Sequence, residues 1–339
     1  MIDEAISLLT EGRNLDQEIC TEVAREIMQG SIDDTKISIM LTELTRKGET
    51  SEEIASFARV MKEYCNKINP KVSGTLVDTC GTGGDKLKTF NISTATGFVV
   101  TGAGIPVAKH GNRSITSKCG SADILETMDV NLRLTPKQVE KTIEKVGIGF
   151  MYAPLFHPAM KNVQKVRKEL GIRTIFNVLG PLTNPANAKA QVIGVYSKQL
   201  VGKVANSLNH LGIEHALVVH GSGMDEISTI NVTNIAEIKN GVIREYTICP
   251  RDFSVKKPKI QDLYAKNMEM SVKFFKEVLE GKNGPRFDIV LLNAAAGIFV
   301  SGKAETISEG IDVARESIES GKALEKFEQF REETQKYEA

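Results

Sequence analysis

Three short stretches carry residues whose types and spacing suit phosphate and metal chemistry. The first is DTCGTGGDKLKTFNIST, Asp78 to Thr94. Gly81, Gly83 and Gly84 fall within four positions, and Asp85 follows them. Glycines at that density let a backbone approach a ligand closely and take positive φ, so successive N–H groups can form an anion nest. Neither common nucleotide loop is present. The GxxxxGK[ST] spacing is absent, and Lys86 stands where GxGxxG needs its third glycine. An ordinary strand-to-helix turn remains the alternative at this point. Further on, Asn91, Ser93 and Thr94 precede an apolar helical run. They are good helix caps, and the same groups can hold a phosphate at a helix N-terminus.

KHGNRSITSKCGSAD, Lys109 to Asp123, sets Lys109, His110, Asn112 and Arg113 among small hydroxyl residues after an apparent strand. Cations and hydroxyls together suit several phosphate oxygens at once. His110 is read as a structural hydrogen-bonder, with general acid as the alternative. In HGSGMDEIST, Asp225 and Glu226 are adjacent carboxylates in a glycine-rich loop. Such pairs are usually just solvated. Beside a phosphate loop they become hard oxygen ligands for Mg²⁺, which takes one or two carboxylates plus substrate phosphates and water. On the helical run HPAMKNVQKVRKELG, Arg167 stands next to the Met160, Val163, Leu170 stripe and by itself reads as a surface residue.

At the scale of the whole chain, 339 residues suggest two domains, or one large α/β unit with a small appendage. A 41% hydrophobic content supports a full core, and 43 basic against 43 acidic residues leave no net charge. That balance argues against nucleic acid and against an anionic membrane as partners. No stretch reaches the ~18 apolar residues of a membrane span. The start, MIDEAISLLT, lacks the features of a signal peptide. The five cysteines are odd in number and form no CxxC, which points to free thiols in a reducing cytoplasm and no zinc site.

Residues 2 to about 66 read as helices only, with Thr50 and Glu53 forming a capping box before the run Ile54, Phe57, Val60, Met61. NKINPKVSG breaks the pattern as a linker. Beyond it strands and helices alternate: TLVDT, Ile105 to Ala108, IGFMY, QVIGVYS, HALVVHG and FDIVLLNAA read as strands. Alternation of this kind implies an α/β fold with a mostly parallel sheet covered on both faces. Ligands of such sheets sit beyond the C-terminal strand ends, where these polar loops lie.

Taken together, DTCGTGGD, TFNIST, AKHGNRS with GSAD, HPAMK, GIRTIFNVLGPLTNP and HGSGMDE resemble the anthranilate phosphoribosyltransferase family in order and spacing. The resemblance implies a small helical N-terminal domain, residues 1–70, joined by a mid-chain segment near 158–185. It implies an α/β domain, 71–339, with a mostly parallel central sheet of the nucleoside phosphorylase/phosphoribosyltransferase type. It further implies a cytoplasmic homodimer, the substrates anthranilate and 5-phosphoribosyl 1-pyrophosphate, and Mg²⁺. Carried onto this chain, donor contacts fall on Gly81, Gly84, Asp85, Thr89, Asn91, Ile92, Ser93, Thr94, Lys109 and Ser121. They continue through the loop His110, Gly111, Asn112, Arg113, Ser114, Ile115, Thr116 and Ser117. Metal ligands fall on Ser93, Asp225 and Glu226, and anthranilate contacts on Gly81, Asn112 and Arg167. No catalytic dyad is implied, because an aniline nitrogen is already neutral.

Two rival readings are open to the sequence. A pyrimidine nucleoside phosphorylase would share the fold and a KH loop, but not Asn112, Arg167 and GPLTNP together. A nucleic-acid binder on the same fold would need a basic surface and eroded metal ligands, against zero net charge and an intact Asp225–Glu226 pair.

Overall fold

The computed structural model describes residues 1–84, 87, 89–113 and 119–337. Four amphipathic helices open the chain: α1 (Ile2–Thr10), α2 (Gln17–Gln29), α3 (Asp34–Lys47) and α4 (Ser51–Glu63). The starts of α2, α3 and α4 are fixed by side chains that accept otherwise orphaned N–H groups. Asp16 accepts from Ile19, Asp33 from Lys36, and the Thr50–Glu53 box forms in both directions. The Glu53 carboxylate is fully buried. It accepts from the N–H groups of Leu15 and Thr50 and pairs with the Lys47 ammonium at 2.8 Å. This buried, hydrogen-bonded ion pair ties the α1–α2 loop to α4.

After residue 70 the chain builds one seven-stranded sheet. Its strands are β1 (Val77–Gly81), β2 (Val107–Gly111), β3 (Ile148–Tyr152), β4 (Ala190–Gly194), β5 (His215–His220), β6 (Thr233–Lys239) and β7 (Val242–Ile248). The spatial order is β3-β2-β1-β4-β5-β6-β7, parallel from β3 to β5 and antiparallel at β6 and β7. The helices between and after the strands are α5 (Ile92–Gly102), α6 (Ser121–Thr127), α7 (Pro136–Val146), α8 (Ala153–Phe156), α9 (Lys161–Leu170), α10 (Phe176–Leu182) and α11 (Leu200–His210). The C-terminal part adds α12 (Met268–Leu279), α13 (Pro285–Val300), α14 (Ile307–Glu319) and α15 (Lys322–Gln335).

Strand alternation divides the interior into two main cores, and a smaller third cluster gathers Ile68, Ala108, Ile143, Met151 and Phe156 at the β2–β3 edge. Val192, Leu217 and Val219 face a core filled by α5 and α12–α15, with Phe98, Phe275, Phe327 and Phe330 in ring contact. Ile193, Ala216 and Val218 face the other. That second core also holds Val23, Ile27, Leu44 and Phe57 of the N-terminal helices and Val163, Val166, Phe176 and Leu179 of α9 and α10.

Three sequence expectations need correction. FDIVLLNAA is not a strand but lies within α13, a helix buried on nearly every side; an apolar run without periodicity reads the same in either state. Lys109 and His110 belong to β2 rather than to the loop after it. The β6–β7 hairpin escaped the reading, although its turn, Asn240–Gly241 at φ 50° and 81°, is the usual signal for a two-residue hairpin.

Candidate active site

The order of strands reverses between β1 and β4, so a crevice opens beyond their C-terminal ends. Gly81 ends β1, and Gly83 and Gly84 continue in the left-handed region at φ 66° and 77°. The Asp225 carboxylate enters this crevice and accepts from the Gly83 N–H at 2.8 Å. Two loops distant in sequence therefore meet at one point. The seat is made of glycines. A Cβ on Gly81 would overlap the Asp225 carboxylate, one on Gly194 would overlap the Asp225 carbonyl group, and one on Gly221 would overlap the Glu226 carbonyl.

The acidic loop is held from its other side as well. His220 shares a hydrogen bond with the Val195 carbonyl at 2.8 Å, and its Nε2 accepts from the Gly223 N–H at 3.2 Å. Buried Asn293 of α13 donates to the Ile227 carbonyl and accepts from the Ile227 N–H, both at 2.9 Å. Burial raises the Asp225 carboxyl above the usual range, opposed by the Gly83 hydrogen bond. A carboxylate so placed gains from a cation.

Beneath the turn lies a buried ion network. Lys109 donates to the Thr79 carbonyl at 2.5 Å and to Ser93 Oγ at 3.3 Å. Burial lowers its basicity, and the charge of Asp78, then Cys80, Glu226 and Asp225, opposes that. Asp78 is fully enclosed and held by the Asn184 side chain at 2.8 Å; burial raises it, against the pull of Lys109. The ammonium thus anchors β1 to the first turn of α5.

That turn has no side-chain cap. The expected caps behave differently. Asn91 Oδ1 accepts from Ser271 Oγ at 3.1 Å and from Cys119 Sγ at 2.9 Å, while the Ser93 hydroxyl takes Lys109 and Thr94 Oγ1 is buried without a partner. The Ile92 N–H donates to the Phe90 carbonyl at 2.7 Å, so the missing cap leaves the N–H groups of Ser93 and Thr94 for an anion. Ile92 is buried, and Thr89 pairs with Tyr264 as an isolated bridge. Ser121 Oγ donates to the Asn112 carbonyl at 3.3 Å and packs where a Cβ of Gly111 would stand. Asp85, Ser114, Ile115, Thr116 and Ser117 lie outside the described residues.

Three other expected residues have distinct placements. Arg113 is engaged by Asp123, Glu126 and the Tyr152 hydroxyl. His110 is buried with Nδ1 against the Gly180 carbonyl at 3.2 Å, and its ring lies 4.9 Å from that of His157. Burial, then the neighbouring His157, pushes His110 down to about 3, so it is neutral at physiological pH and is no acid. Arg167 rests over the Phe176 ring at 5.6 Å; burial shifts it downward, and among the described residues no carboxylate offsets the cost. It is a partly buried cation in want of an anion. Arg167 makes no hydrogen bond to the glycine turn among the described residues. The same connector reaches the turn instead through Arg173, which donates to the Gly84 carbonyl at 2.6 Å.

The sequence reading missed Gly194, Gly221, Asn184, Asn293, His157 and Arg173. His157 and Arg173 lie within HPAMK and GIRTIFNVLGPLTNP, so their stretches were noticed even though their roles were not.

Known proteins share this arrangement. Residues 73–324 match the α/β domain of a glycosyl transferase family, and residues 3–65 match its helical bundle domain. The anthranilate phosphoribosyltransferase of Acetivibrio thermocellus is 49% identical over 338 residues, spanning 99% of this chain and 98% of its own length. The chain belongs to the anthranilate phosphoribosyltransferase family. Solved members superpose closely. The Thermus thermophilus enzyme has a TM-score of 0.92 at 38% identity, covering 98% of this chain and 99% of that one. The Saccharomyces cerevisiae enzyme, solved in complex with PRPP and Mg, has a TM-score of 0.89 at 28% identity, covering 99% and 98%. The fold class is therefore the family's: a small N-terminal helical domain and a larger α/β domain with a mostly parallel mixed sheet.

Proposed function

We propose that this member of the anthranilate phosphoribosyltransferase family joins anthranilate to the phosphoribosyl group of 5-phosphoribosyl 1-pyrophosphate at the β1–β4 crevice, with Mg²⁺ and release of pyrophosphate, as a step of tryptophan biosynthesis. One observation carries the reading of the site: Asp225, 142 residues away in sequence, accepts a hydrogen bond from Gly83 in the middle of the glycine turn. A phosphate nest and a hard carboxylate pair then share one place.

The donor set suits Mg²⁺. Asp225 and Glu226 offer carboxylate oxygens, Ser93 a hydroxyl, and burial leaves Asp225 favouring a neighbouring cation. Among the described residues no three His, Cys, Asp or Glu side chains converge as a metal cluster, which is expected where substrate oxygens complete the coordination. Bound there, Mg²⁺ supplies positive charge where the leaving diphosphate gains negative charge.

The remaining roles belong to this chain. The N–H of Gly84 and those of Ser93 and Thr94 at the start of α5 receive phosphate oxygens, while the Gly83 N–H holds Asp225 and Thr89, Asn91 and Ile92 shape the wall. Lys109 holds Ser93 in place and adds charge from behind. Gly81, Asn112 and Arg167 receive anthranilate, the guanidinium gripping its carboxylate. The amine lone pair forms the C1–N bond as the C1–O bond breaks, the bonding pair leaves with pyrophosphate, and the surplus amine proton passes to solvent. Because the nucleophile is neutral and His110 stays unprotonated, rate comes from positioning and electrostatics rather than from acid–base relay.

The helical domain of residues 1–70 works together with the 158–185 segment, whose Val163, Val166 and Phe176 share its core. The protein acts in the cytoplasm as a homodimer joined through that domain, where Ile39 of α3 is an exposed apolar side chain. Purified protein with Mg²⁺ and 5-phosphoribosyl 1-pyrophosphate should quench anthranilate fluorescence as product forms. Unchanged fluorescence with folded protein would reject the reading, and light scattering that gives the monomer mass would reject the dimer.

A further inference from the structure

We infer that Arg173 is a positioning residue that latches the connector carrying Arg167 onto the glycine turn, and so sets the affinity for the phosphoribosyl donor. The inference rests on the assignment of the diphosphate to that turn. Arg173 follows the end of α9, where Gly171 reverses the chain at φ 62°. Its guanidinium donates to the Gly84 carbonyl at 2.6 Å and lies over the Tyr196 ring, 3.9 Å from its centroid. Tyr196 in turn donates its N–H to the Thr82 hydroxyl at 3.1 Å, and the Thr82 N–H reaches the Gly194 carbonyl at 2.9 Å. The turn is thereby gripped on both sides, at Thr82 and at Gly84, through one stacked arginine–tyrosine pair.

The fit is specific. A Cβ on Gly84 would come to 3.0 Å from Arg173 Nη2, so the guanidinium packs tightly against the turn and would have to give by a few tenths of an ångström. Meanwhile the Thr45 hydroxyl donates to the Arg173 carbonyl at 3.4 Å, which links the latch to α3. Holding the Gly84 carbonyl fixes the end of the turn next to the Gly83 N–H that carries Asp225. The arginine also brings a positive charge to the edge of a site that must hold a multiply charged diphosphate. Lysine could supply that charge, but neither the stack nor a planar fork.

The experiment compares Arg173→Gln, Arg173→Lys and Gly83→Ala with the parent. Gly83→Ala strains the turn at φ 66° with nothing within 4 Å of the added carbon, and so perturbs the turn without touching Arg173. Arg173→Gln should raise the KM for 5-phosphoribosyl 1-pyrophosphate roughly 10- to 100-fold, the range for losing a charge-assisted hydrogen bond. It should move the anthranilate KM by less than about threefold and leave the ligand-free melting temperature in place, with Arg173→Lys between the two. A donor KM that is unchanged in Arg173→Gln but raised in Gly83→Ala would overturn the latch alone. A donor KM unchanged in both would overturn the turn assignment and the latch with it. A lowered melting temperature with both KM values intact would make Arg173 merely structural.

Discussion

Replacing Gly194 by Ala tests the glycine seat most sharply. Gly194 ends β4 opposite Gly81 in the parallel register, and no side chain at either position separates the strands from the acidic loop. A methyl group at 194 would fall inside the Asp225 carbonyl group, with the Asp225 Cα itself only 3.0 Å away. Relief to ordinary van der Waals separation moves that backbone by on the order of 2 Å. The Asn293 clamp on Ile227 and the His220 contact with Gly223 restrain the loop on either side, so the movement is concentrated at residues 225 and 226. Misplacing a substrate-positioning group by about 1 Å can cost a hundredfold in rate. Gly194→Ala should therefore lower kcat by at least about 100-fold and raise the Mg²⁺ concentration giving half-maximal turnover. Overpacking costs about 1–3 kcal/mol and a backbone overlap of this size more, set against the roughly 5–15 kcal/mol that holds a domain together, so the melt first establishes that the variant is folded. Anthranilate fluorescence followed across a Mg²⁺ titration, beside a thermal melt, reads both quantities. A folded Gly194→Ala protein with parental kcat and parental Mg²⁺ response would refute the idea that the acidic pair works from this seat.

Arg167→Ala should raise the anthranilate KM roughly 10- to 100-fold, as for a lost charged hydrogen bond, and leave the donor KM nearly unchanged in steady-state assays; equal effects on both would remove Arg167 from the acceptor site. The double variant Asp225→Ala, Glu226→Ala should lose Mg²⁺-dependent turnover by orders of magnitude, and a parental Mg²⁺ titration curve would exclude the pair. Acid should destabilise the protein through His110 and His157, whose rings burial holds down to about 3 and about 4 from the ordinary 6.5. Below pH 6.5 the unfolded chain takes up protons that the fold refuses, so stability falls as pH falls, and it levels off only below those folded values. At pH 5 the loss is about 2 kcal/mol per ring, from roughly 1.5 pH units at about 1.4 kcal/mol each. Urea midpoints at pH 7 and pH 5 measure it; His157→Gln should shrink the difference, and equal midpoints in the parent would contradict the burial argument.

What the sequence revealed was chemistry carried by residue type. Three glycines beside hydroxyls, and two adjacent carboxylates in a second glycine-rich loop, are legible because few backbones need such compositions. The α4 capping box is legible because both its partners are local. Features that depend on what surrounds a segment were hidden. Nothing local distinguishes α13 from a strand, since its environment is apolar on nearly every side and no periodicity survives. Gly194 and Gly221 look like ordinary strand-end glycines until Asp225 and Glu226 are packed against them. Lys109 read as a loop cation facing phosphate, whereas the strand runs on through it and turns its ammonium toward Thr79 and Ser93. Arg173 was invisible because its partner, the Gly84 carbonyl, is a backbone atom 89 residues away.

The clamp between Asn293 and Ile227 bears on how long the site survives between openings. Most substrate-handling loops exchange their amide hydrogens freely, because they open without disturbing the interior. Here the N–H and C=O flanking the acidic pair are both bonded to one side chain of a helix sunk in the interior. The Ile227 amide should consequently show the slow deuterium uptake of the innermost helix, so that the acidic loop is lost only when the whole α/β body unfolds.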